Sequence, residues 1–88
     1  MRDLEGRIAI VTGGASGIGR SIALKLATYG AKVSIGDLQE LPREGGKTTE
    51  EIITESGGEA IFTKVDISKN SQVEALVGRT VESFGGID

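Results

Sequence analysis

Four glycines fall within eight residues at Thr12–Gly19, TGGASGIG, between an apolar β-branched run, IAIVT, and a segment with helical periodicity. A backbone this bare serves a positive φ, a tight turn, or the direct approach of a ligand to the main chain. The neighbouring elements favour a ligand. A strand passing through a glycine turn into a helix gathers unpaired N–H groups and the positive end of the helix dipole at one point, which suits a pyrophosphate. Gly13 then makes the turn, Gly17 lets the phosphates reach the backbone, Gly19 lets helix and strand pack closely, and Ser16 adds a hydroxyl donor. Glycines alone leave a plain strand-to-helix turn equally open, because short glycine patterns recur by chance.

Asp37 weighs against chance. It ends the next apolar run, KVSIGD, near the ~20-residue offset at which a carboxylate binds the ribose hydroxyls of NAD. The same charge repels the 2′-phosphate of NADP, which recruits a basic side chain, and neither Ser16 nor Leu38 is basic. Arg43, in the loop that follows, reads as a solvated arginine. NAD is therefore expected over NADP. Asp66, in KVDIS, sits just past a third strand, where it can accept a bond from an adenine amino group or cap the next helix.

Other chemistries are excluded by composition. The 88 residues contain no cysteine and no histidine, which removes disulfides, a thiolate nucleophile, Cys/His metal sites and an imidazole base. A net charge of −3 without a basic block argues against a nucleic-acid surface. No run reaches membrane-spanning length and the N-terminus lacks a cleavable apolar leader, so a cytoplasmic protein without a membrane partner is expected.

The elements that must position these residues follow from periodicity. Strands are expected at 8–12, 32–37 and 60–65. Helices are expected from Ile18 to Gly30, from Thr48, whose spacing to Glu51 is that of a capping box, to Gly57, and from a Ser68 cap to Phe84. The last carries Val73, Leu76, Val77, Val81 and Phe84 on one face. The order β-α-β-α-β-α, with short connections, predicts an α/β fold: a Rossmann-type parallel sheet in strand order 3-2-1 with helices on both faces. The first strand would then be an apolar edge, so the natural domain is expected to continue past Asp88. The loop at 38–47, LQELPREGGK, is long, and its charges are expected to be solvated.

TGGASGIG with Asp37, VDIS and the terminal FGGID resembles the N-terminal half of the short-chain dehydrogenase/reductase family, whose glycine pattern is TGxxxGxG. The resemblance covers essentially the whole chain and makes residues 1–88 a partial NAD(P)-binding Rossmann domain. It implies Gly13, Ser16, Gly17, Ile18 and Gly19 around the pyrophosphate and its ribose, Asp37 on the adenosine ribose, and Asp66 with Ile67 at adenine. It further implies an oxidoreductase moving hydride between nicotinamide and a small alcohol or ketone, a homo-oligomer at full length. The family works with a serine, a YxxxK tyrosine and lysine, and an asparagine. Residues 1–88 hold no such set: Tyr29 and Lys32 are spaced YxxK at a helix end, so no catalytic residue is assigned and the chain alone is expected to be inactive. The alternatives are a stand-alone dinucleotide-binding module without catalysis and a truncated product that binds nothing well.

Overall fold

The computed structural model describes residues 3–88. Three parallel strands, β1 (Ile8–Thr12), β2 (Lys32–Asp37) and β3 (Ala60–Lys64), form one sheet in the order β1-β2-β3. They alternate with α1 (Gly17–Thr28), α2 (Thr49–Glu55) and α3 (Asn70–Phe84).

The central strand explains the layering. Successive side chains of β2 point to opposite faces, and both faces are covered. Val33 and Ile35 are fully buried on one face with Val11, Ala23, Ala31 and Ile53, the core that joins α1 and α2 to the sheet. Burying one such side chain contributes about 1.5–3 kcal/mol. Ser34 and Gly36 turn to the other face, against α3. The Ser34 and Thr80 hydroxyls lie 2.7 Å apart. Because Thr80 Oγ1 donates to Leu76 O at 2.8 Å, its only proton is committed and Ser34 must be the donor of the pair. Gly36 has no room for a side chain: a Cβ there would sit 2.8 Å from both Leu76 and Val65.

The structure differs from the periodicity in α3. The helix begins at Asn70 with Lys69 as N-cap, because Ser68 is drawn back to Asp66: its N–H and its hydroxyl both donate to Asp66 Oδ1, at 3.0 and 2.6 Å. The buried line on α3 is Leu76 and Thr80, while Val77 and Val81 remain exposed. A threonine replaces the expected valines because its hydroxyl is satisfied by Ser34. β3 also ends one residue early, at Lys64. The capping box forms as expected, with Glu51 N–H donating to Thr48 Oγ1 and Thr48 N–H donating to Glu51 Oε1.

On the outer side of β1, Asp88 N–H donates to Ile8 O and Ile8 N–H donates to Asp88 Oδ2, both at 2.8 Å. Among the described residues no strand pairs with that edge.

Candidate functional site

Parallel strands end on one edge of the sheet. With Thr12 opposite Gly36 and Asp37 opposite Lys64, the register brings the glycine turn after β1, Asp37 at the end of β2 and Asp66 after β3 to that edge. Backbone bonds carry the pairing one step further, from Gly13 N–H to Gly36 O at 2.7 Å and from Val65 N–H to Asp37 O at 2.8 Å.

The turn has the shape an anion needs. A Cβ on Gly19 would lie 2.1 Å from Gly13 O, so only glycine lets α1 start this close to β1. Gly13 and Gly17 have positive φ, +70° and +57°, and a Cβ on Gly13 would meet nothing within 4 Å. Space is therefore open around Gly13, and Gly17 starts a 12-residue helix with no acidic residue in its first turn. Such a cradle fits a pyrophosphate. The carboxylate of Asp37 is held against the turn, Oδ2 accepting from Ala15 N–H at 3.0 Å and Oδ1 from Leu38 N–H at 2.7 Å.

Two supporting residues were invisible to spacing arguments. Thr49, fully buried, donates its hydroxyl to Gly14 O at 2.7 Å and accepts from Arg20 at 3.3 Å, which ties the start of α2 to the glycine turn. Only the three-dimensional approach of segments 35 residues apart reveals the Thr49–Gly14 bond.

The charged residues of the loop at 38–47 are exposed, as its composition suggested, yet part of the loop folds back over the turn. Ser16, the buried N-cap of α1, makes no cap bond to its own helix; its Oγ accepts from Arg43 N–H at 2.8 Å. Glu44 Oε2 accepts from Gly17 N–H at 3.1 Å and lies 3.9 Å from Arg20 Nε. Its own backbone N–H, then the Gly17 N–H, and more weakly Arg20 and the Ser16 hydroxyl hold its carboxyl below the usual range, so it is an anion at neutral pH. Arg43 places a guanidinium nitrogen 3.7 Å from where a Cβ on Gly17 would stand.

The remaining sequence candidates divide. Ile18 is 81% exposed beside the turn, and Ile67 and Leu38 are exposed just past β3 and β2. Asp66 spends Oδ1 on the N–H and hydroxyl of Ser68 and does not cap α3, whose N-cap is Lys69; these bonds hold its carboxyl below the usual range, the Ser68 hydroxyl contributing most. Tyr29 and Lys32 lie at the opposite edge, where α1 ends and β2 begins, and Tyr29 instead packs under the Lys25 ammonium, 5.6 Å from its ring centre. Among the described residues no cluster of acidic side chains is arranged to hold a metal. A hollow of about 300 Å³ between α1 and α2, lined by Leu24, Ala27, Ile52 and Ser56, is separate from the glycine turn.

The family model of short chain dehydrogenases matches residues 7–88. The chain belongs to the short-chain dehydrogenase family. Relatives in this family include a 2,5-dichloro-2,5-cyclohexadiene-1,4-diol dehydrogenase of Sphingobium indicum, 42% identical over 88 residues, covering 100% of this chain and 33% of that protein. An uncharacterized oxidoreductase of Thermotoga maritima is 42% identical over 85 residues, 97% of this chain and 32% of its own length. A solved hydroxysteroid dehydrogenase from Escherichia coli superposes with a TM-score of 0.87 at 32% identity, over 97% of this chain and 34% of that one. The chain thus spans about a third of the length of the curated relatives it matches. The oxidoreductase family and its Rossmann-like parallel sheet agree with the expectation drawn from TGGASGIG, Asp37 and VDIS.

Proposed function

We propose that residues 1–88 form the cofactor-binding part of an NAD-dependent oxidoreductase that interconverts a small secondary alcohol and its carbonyl compound. The observation that carries this is the glycine turn itself, which Gly19 lets α1 enter directly from β1 with the Gly17 N–H facing an anionic group, and the Asp37 carboxylate fastened beside it through Ala15 N–H. Gly13, Ser16, Gly17, Ile18 and Gly19 would hold the pyrophosphate and adjoining ribose, through backbone N–H groups and the helix dipole. Asp37 would accept from the adenosine ribose hydroxyls and Asp66 with Ile67 would receive adenine; the Ser68 bonds fall on Oδ1 of Asp66 and leave Oδ2 for the adenine amino group. When bound, the dinucleotide supplies the hydride-transfer chemistry. The chain's own contribution is to grip and orient it, and no residue of 1–88 is assigned a catalytic role. The Asp37 charge favours NAD over NADP. The whole enzyme, on this proposal, is a cytoplasmic homo-oligomer.

Calorimetric titration of NAD and NADP into the chain and into Asp37→Ala tests this. NAD is expected to bind more tightly than NADP, and loss of a charge-assisted hydrogen bond in the variant should weaken NAD by about ten- to a hundredfold. Equal heats for the two proteins would defeat the assignment of Asp37.

A further inference from the structure

The 38–47 loop does something that the bare cradle does not require. Glu44 lies 27 residues from Gly17 in sequence and presents its carboxylate to the first N–H of α1, with the Arg20 guanidinium facing the same oxygen. Those are the partners a phosphate oxygen would take: a helix N-terminal amide and a cation. The loop is also fastened at a second point, Arg43 N–H to Ser16 Oγ. It runs between two rigid anchors, Asp37 at the end of β2 and the capping box of α2, and contains Gly45 and Gly46 with φ of +84° and +82°, around which nothing crowds.

Resting on the dinucleotide reading, we propose that Glu44 is a built-in competitor for the phosphate site: its carboxylate occupies the amide end of α1 in the free chain and must leave before a pyrophosphate can enter. Two anions cannot share one helix end and one guanidinium at contact distance without strong repulsion. Once Glu44 withdraws, the vacated amide has Arg20 of α1 and Arg43 of the loop as nearby cations for an incoming anion. The free energy of breaking the Glu44 contacts is subtracted from that of ligand binding, which lowers apparent affinity.

The test titrates NADH, and separately inorganic pyrophosphate, into the wild-type chain, Glu44→Gln and Glu44→Asp, following the Gly17 amide resonance. Glu44→Asp keeps the charge and shortens the reach by one methylene, so it guards against a folding defect in the glutamine variant. Both variants are expected to bind both ligands about five- to tenfold more tightly than wild type, the size of one partly exposed charge-assisted hydrogen bond. Equal or weaker binding of pyrophosphate by both variants would overturn the proposal. Tighter pyrophosphate binding by the variants with no NADH binding by any protein would retain the competitor and discard the dinucleotide. NADH binding unaffected by either variant would retain the dinucleotide and discard the competitor.

Discussion

Gly19 and Glu44 mark the two extremes of what a single residue reveals about itself. Gly19 is legible because its requirement is local: the atom that a side chain would strike, Gly13 O, is only six positions away and belongs to the same turn. Glu44 is illegible because its partner is distant in sequence and because a carboxylate at an anion site contradicts the simplest account of that site. Glu50 is a third case. It sits in the first turn of α2, with both carboxyl oxygens enclosed and without a hydrogen-bond donor among the described residues. Burial first, then the facing Glu40 carboxyl, pushes it from 4.5 up to about 7. A raised carboxyl pKa means that the folded chain holds more protons than the unfolded one, so stability falls as pH rises from about 4.5 to about 7. The residue as a whole is only half-buried, which limits the effect to the order of 1 kcal/mol. Urea midpoints measured across that range should decline for wild type, and the decline should be shallower in Glu50→Gln; parallel profiles would remove Glu50 as the cause.

At the scale of elements, most boundaries were readable and one buried face was not. β1, β2 and α2 carry signals internal to themselves: β-branched runs ending in glycine or aspartate, and the Thr48–Glu51 capping box. The buried face of α3 depends on what it meets. Thr80 is polar, so hydropathy assigns it to solvent and assigns Val77 and Val81 to the core; the Ser34 hydroxyl opposite reverses the order. The pair predicts a double-mutant result. Thr80→Val should cost about 1–3 kcal/mol by leaving the buried Ser34 hydroxyl without an acceptor, whereas Ser34→Ala with Thr80→Val should recover much of that loss. Additive chemical-denaturation energies across the cycle would mean that the hydroxyls do not act together.

The whole molecule exposes more apolar surface than its core chemistry requires. Ile18, Ile22, Val77, Val81 and Ile87 are all at least 40% exposed, and among the described residues Asp88 is what hydrogen-bonds to the outer edge of β1. Unpaired strand edges template association. The isolated 88-residue chain should therefore show a mass that rises with concentration in sedimentation velocity; a single monomeric boundary joined to a sharp cooperative melt would contradict this. The same exposure is consistent with a chain that spans about a third of its relatives' length.

By itself, the sequence determined the alternation of strands and helices, the glycine turn and the acidic residue one strand later. Those features depend on neighbours within a few positions, or on a periodicity that local sterics impose. Tertiary structure alone decided where two carboxylates point: Asp37 onto Ala15 N–H and Glu44 onto Gly17 N–H. The reason is that a parallel sheet gathers the carboxyl ends of strands far apart in the chain, and a charged side chain finds its partners only after that gathering is complete.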